Sequence, residues 1–94
     1  MPDPVRVKVT IVNRLGLHAR PAMSFVDLAG TFKSTIPVSR AEPGASPVDG
    51  KSIMQMMMLA ATKGTQLEIT ADGPDAEQAC AALKRLVETG FEEE

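Results

Sequence analysis

The sequence is poor in the groups that stabilise secreted domains and build metal sites: its 94 residues include one cysteine and one histidine, and no long apolar run. A lone Cys80 cannot close an intrachain disulfide, so the chain suits a reducing compartment. No apolar stretch approaches the roughly 20 residues that span a bilayer, and membrane insertion is not expected. The start, Met1, Pro2, Asp3, Pro4, lacks the basic segment and apolar core of a signal peptide, which makes cytoplasm the expected location. Charge of one sign is lacking too: a net charge of -2 gives no broad positive field to hold a nucleic-acid backbone. The single histidine leaves no ligand cluster for a metal, and no cofactor is called for. With 44% hydrophobic and 23% charged residues and no linker or repeat, residues 1–94 read as one ordinary globular domain.

What is present is a clear succession of periods. Over residues 5–12, Val5, Val7, Val9 and Ile11 alternate with Arg6, Lys8 and Thr10, the period of a strand with one wet face. Ala22, Phe25, Val26 and Ala29 then recur at helical spacing up to Gly30, with Pro21 in the first turn, where no backbone donor is needed. Residues 35–40 and 46–49 read as a hairpin closed by Glu42, Pro43, Gly44 and Ala45, although Pro37 and Pro47 each remove a ladder donor.

Ser52 and Gln55 match a capping box, predicting a second helix from Ser52 toward Thr62 with a stop at Gly64. Leu67, Ile69 and Ala71 mark a last strand over 65–71. Gly73 and Pro74 open a third helix with the apolar stripe Ala76, Ala79, Cys80, Leu83 and Val87, closed by Gly90 and followed by an acidic, frayed tail at 92–94. Cys80 on that stripe is a small buried hydrophobe. Strands with one dry face imply an α+β fold with an antiparallel sheet covered on one side.

The stretch Gly16, Leu17, His18, Ala19, Arg20, Pro21, Ala22 puts the only histidine immediately before a helix. A helix start carries unpaired N–H groups and about half a positive charge, which suits an anion. The amides of Ala19 and Arg20 are the expected donors. Histidine attacks phosphorus only through an unprotonated nitrogen, and the positive end of a helix works against the imidazolium. The planar fork of Arg20 fits phosphoryl oxygens. Spacing alone leaves a plain reading open, in which His18 caps the helix and Arg20 sits in solvent.

The run from Gly16 to Ala22 resembles the active-site signature of the HPr family, the histidine-containing phosphocarriers of the bacterial phosphotransferase system. Gly50, Lys51, Ser52, Ile53 and Met54, followed by Met56, Met57 and Leu59, resemble the family's second signature, around a regulatory serine. The likeness covers nearly the whole chain. It implies an open-faced β-sandwich in the order βαββαβα, with a four-stranded antiparallel sheet ordered 1423 under three helices. It also implies that His18 takes a phosphoryl group on Nδ1 from the phosphohistidine of enzyme I, charged in turn by phosphoenolpyruvate. Arg20 then stabilises the group, and an enzyme IIA-type domain receives it. The carrier has no turnover of its own.

Ser52 reads as an N-cap, and the resemblance adds phosphorylation by a dedicated HPr kinase/phosphorylase. Helix two is apolar almost all round, so part of it faces out. Met56 and Leu59 read as core filler, while by resemblance Ile53, Met54 and Met57, extended by Met23, form the docking patch. A monomer that shows one face to successive partners is the expected state.

Where several members carry a basic residue late in helix one, this chain has Asp27, and its loop between strands two and three is a few residues longer. Asn13, Arg14, Leu15 and Gly16, with Glu88, Thr89, Gly90 and Phe91, resemble the nitrogen-related paralogue as closely as the sugar-transport form. Two other classes remain for comparison. A binding module working through Ser52 with His18 idle does not explain Arg20. A free-standing hydrolase lacks a second general base and a deep pocket.

Overall fold

Alternating apolar and polar residues let one face of a sheet shed water while the other keeps it. The computed structural model, which describes residues 3–92, builds four such strands. They are β1 (Val5–Thr10), β2 (Pro37–Arg40), β3 (Val48–Asp49) and β4 (Gln66–Ala71), in one antiparallel sheet ordered β1-β4-β2-β3. Three helices, α1 (Ala19–Ala29), α2 (Ile53–Met58) and α3 (Ala76–Glu88), cover one face, and a 3-10 turn at Gly90–Glu92 follows. This is the expected open-faced sandwich in the expected order and topology.

The dry face is continuous across the strands because the register aligns their apolar positions: Val9 lies opposite Leu67, Val7 opposite Ile69, and Ile69 opposite Val38. Against these pack Phe25 of α1, Met56 of α2 and Leu83 and Val87 of α3, all buried. Full burial of side chains this size stabilises by about 1.5–3 kcal/mol each. Cys80 joins this core, as its place on the stripe predicts, and its thiol is pushed up from its ordinary pKa by burial. On the wet face Lys8 stands opposite Glu68, and Arg6 opposite Thr70.

Several boundaries differ from the sequence expectation, each for a physical reason. β1 ends at Thr10, but Ile11 keeps both its backbone bonds, donating to the Thr65 carbonyl and accepting from the Gly64 amide. In the β2–β4 register, Val38 opposite Ile69 and the bridge Thr35–Asp72 share one alignment, which would put Pro37 opposite Thr70. That pair should exchange two hydrogen bonds, but proline has no N–H to give, so β2 begins at Pro37 and Thr35 survives only as an isolated bridge. Pro47 likewise shortens β3 to two residues. The turn between them forms as expected, with the Ala45 amide on the Glu42 carbonyl at 3.2 Å and Gly44 at φ 81°. Proline followed by a positive-φ glycine is the type II arrangement.

The larger correction concerns α2, which stops at Met58 and does not reach Thr62. Leu59 and Ala61 are buried like helical core residues, but they belong to an irregular strap that turns at Ala60, whose φ is +51°. The capping box is half formed: Ser52 Oγ accepts from the Gln55 amide at 3.3 Å, while the Gln55 side chain accepts from Asp49 N at 2.9 Å instead of returning to Ser52. At the C-terminus Gly90 does not end the ordered chain. Phe91 folds back and is buried; of the acidic tail, Glu92 closes the 3-10 turn, and residues 93–94 lie outside the described range.

Candidate functional site

The loop that carries His18 is shaped by Gly16. At φ +69° this residue sits where L side chains are strained, and a Cβ there would lie 2.6 Å from the Ala61 carbonyl oxygen and 2.8 Å from the Thr62 Cα. Only glycine lets the loop lie this close to the 59–62 strap. Asn13 closes the other side: its buried Nδ2 donates to the Gly16 carbonyl at 2.7 Å, and the Gly16 amide donates to the Asn13 carbonyl at 3.1 Å. Leu17 then hangs on the strap through its amide, 2.8 Å from the Ala61 carbonyl. The chain therefore enters the helix from a fixed direction.

His18 is the N-cap of α1, extended at φ -83° and ψ -171°, half-buried, and its side chain makes no capping bond to the helix. Its carbonyl accepts the first helical bond, from Ala22 N at 3.0 Å. Pro21 has no N–H, so the amides left over at the helix start are those of Ala19 and Arg20. These are the two donors singled out from the sequence. Arg20 is exposed on the first turn, two residues after His18. An imidazole, two amides at the positive end of an eleven-residue helix and a guanidinium can together receive and hold a dianionic group without a metal. Among the described residues there is no cluster of three or more potential metal ligands.

The remaining site residues lie on α1 and α2, which pack against each other. Met23 on α1 and Met54 and Met57 on α2 are exposed, at 47%, 77% and 41%, whereas Ile53 is half-buried against the core. Met56 and Leu59 are inside, as their reading as core filler requires. Ser52 caps the far end of α2, separated from the strap that holds Leu17 by the helix, roughly 9 Å at 1.5 Å per residue. Beside it Lys51 reaches back to donate to the Phe32 carbonyl at 2.8 Å.

Sequence reasoning did not find Leu15 and Met58, which are 66% and 76% exposed and widen the apolar surface at the loop and on α2. Nor did it find Asn13 as the loop's buttress, although an asparagine three residues before a glycine is a usable turn signal. The two segments that mark the nitrogen-type resemblance meet in space: a Cβ on Gly90 would lie 3.6 Å from the Asn13 side chain.

These features, a histidine at a helix start on a 1423 open-faced sandwich, define a phosphoryl-carrier class of protein. The family PTS-HPr, described as the PTS HPr component phosphorylation site, matches residues 5–89. The chain belongs to this family of phosphocarrier proteins of the phosphotransferase system. It is 49% identical over 86 residues to the phosphocarrier protein HPr of Pseudomonas putida, covering 92% of this chain and 93% of that one. It is also 41% identical over 87 residues to the phosphocarrier protein NPr of Proteus mirabilis, covering 93% and 94%. Among solved structures, HPr-C-His from Thermoanaerobacter tengcongensis superposes with a TM-score of 0.87 at 42% identity, over 96% of this chain and 98% of that one.

Proposed function

We propose that His18 is the residue that carries the phosphoryl group. The supporting observation is its position: the N-cap of α1, held there by Gly16 and Leu17 on the Ala61–Thr62 backbone. In the transfer, His18 Nδ1 attacks phosphorus in the phosphohistidine of enzyme I. The new N–P bond forms as the old one breaks, the departing imidazole takes the electron pair, and each ring keeps the proton on its other nitrogen. The Ala19 and Arg20 amides and the Arg20 guanidinium hold the three phosphoryl oxygens. Because such transfers pass through a loose transition state, positioning and charge stabilisation account for most of the acceleration. The same group then leaves to an enzyme IIA-type domain, and the carrier turns nothing over by itself.

Met23, Ile53, Met54 and Met57 form the apolar part of the surface that meets both partners. Ser52 is a second, regulatory phosphorylation site for an HPr kinase/phosphorylase: a dianion there would enjoy the helix start while disturbing the docking patch. We read residues 1–94 as one domain, acting as a monomer in the cytoplasm. Among the described residues no helix is long and apolar enough to cross a membrane. A nitrogen-regulatory role is the second reading, favoured by the NPr-type relative.

The test is labelling. Incubation with enzyme I and phosphoenolpyruvate should add one phosphoryl group that is lost in acid and survives mild base, and His18→Ala should abolish it. An alanine variant labelled as fully as the parent removes His18 from the role.

A further inference from the structure

The 59–62 strap is the wall against which the His18 loop is built, and it is not held by helical hydrogen bonds. α2 ends at Met58, the Leu59 and Ala60 amides fold back three residues to Met56 and Met57, and Ala60 sits at φ +51°. A short helix leaves its last carbonyls without partners. Here they are taken by a residue from across the sheet: Arg40, at the end of β2, donates from Nη1 to the Leu59 carbonyl at 2.9 Å and reaches the Ala60 carbonyl at 3.5 Å. One residue further on, the Ala61 carbonyl accepts from Leu17 N at 2.8 Å, and Leu17 precedes His18. The Arg40 Nε is steadied separately, by Glu42 Oε1 at 3.3 Å.

From this chain of contacts we infer that Arg40 is a positioning residue for phosphoryl transfer at His18, acting through the strap and the Leu17 amide without touching the phosphoryl group. The inference rests on the reading of His18 given above. A cation is well suited to the place, since it lies on the negative end of α2 and bridges two carbonyls that, among the described residues, accept no backbone N–H. Without it the strap keeps its buried side chains Leu59 and Ala61 but loses the clamp that fixes the direction of its carbonyls. The Leu17–Ala61 bond then opens more often, and His18 spends less time in register with the Ala19 and Arg20 amides.

Full-length Arg40→Gln, Arg40→Lys and Glu42→Gln variants, checked for native circular dichroism, separate this role from a general loss of stability. Two quantities are read: exchange of the Leu17 amide in the free protein, and the rate of phosphoryl uptake as a function of enzyme I concentration. Arg40→Gln should speed Leu17 exchange and lower the saturating rate on the order of tenfold, with half-saturation unchanged, because a small misplacement of reacting groups is costly. Arg40→Lys, which keeps the charge and a donor nitrogen, should recover part of both, and Glu42→Gln, whose side-chain oxygen can still accept from the exposed Nε, should leave both at the parent level. Arg40→Gln with parental Leu17 exchange and parental saturating rate overturns the inference while leaving the reading of His18 standing. A parent protein that takes no phosphoryl group overturns both.

Discussion

At the scale of single residues, two positions carry direct consequences for stability. Gly16→Ala puts a methyl group 2.6 Å from a backbone oxygen at a positive φ, so neither rotation nor side-chain repacking relieves it. The variant should lose more than about 1 kcal/mol in urea unfolding, with slower phosphoryl uptake, because the same residue sets the entry to α1. Asp75 is the other. Its carboxylate accepts from Lys33 N at 2.8 Å, Ser34 N at 3.0 Å and Ser34 Oγ at 2.6 Å, which ties the end of the α1–β2 connection to the start of α3. The Ser34 hydroxyl, then the Lys33 amide, lower its pKa from 3.8 to about 2. A folded-state pKa below the unfolded one means that this stabilisation is complete above the unfolded value. It drains away as pH falls from about 4 toward 2, where the folded carboxylate finally protonates. Asp75→Asn should therefore be less stable than the parent at neutral pH and show a shallower loss between pH 4 and pH 2, followed by thermal melting across that range. Parallel melting curves for the two proteins would show that the carboxylate is not the group responsible.

At the scale of elements, what could be read in advance follows from how local each signal is. β1, α1, β4 and α3 were legible because period-two and helical patterns report one neighbour, the core, and the 1423 order came with the family resemblance. α2 was overrun because the apolar sequence continues through Leu59 and Ala61 with no glycine or proline before Gly64, and a buried strap and a buried helix look alike in composition. The placement of His18 at the start of α1 was legible, since the histidine and the helix start are adjacent in sequence. Arg40 and Asp75 were not, because their partners lie 19 and 41 residues away and no local pattern points to them. The strap also makes a prediction at this scale. Ala60→Val adds a β-branch to a residue whose Cβ already sits at φ +51°, where branched side chains are outliers, and should cost more than the loss of the cap at the other end of the helix. Ser52→Ala removes a long cap bond and should cost about 0.5–1 kcal/mol, measured by the same unfolding midpoint. Equal effects from both would mean that the end of α2 is no more strained than its start.

At the scale of the whole molecule, one core serves one sheet, and the surface is left free for function. Phe25 lies fully buried on α1. Phe25→Ala should cost about 3–5 kcal/mol, a large share of the roughly 5–15 kcal/mol that holds a domain folded, and should show as a drop in melting temperature. The large apolar residues exposed outside that core, Val12, Leu15, Met23, Met54, Met57 and Met58, lie on the loop between β1 and α1 and on the two shorter helices, not on α3. The molecule thus presents its exposed apolar side chains on one side: α3, packed on β1 and β4, carries none, while α1, α2 and the loop before α1 carry them.

The role of His18 turns on where the phosphoryl group goes, and phosphorus and amide NMR on the protein charged by enzyme I and phosphoenolpyruvate reads this directly. The spectrum should contain one phosphorus resonance of an Nδ1-phosphohistidine, with the largest amide shifts at Ala19 and Arg20. A phosphoryl group found on another residue, or one on His18 that leaves those two amides unmoved, contradicts it.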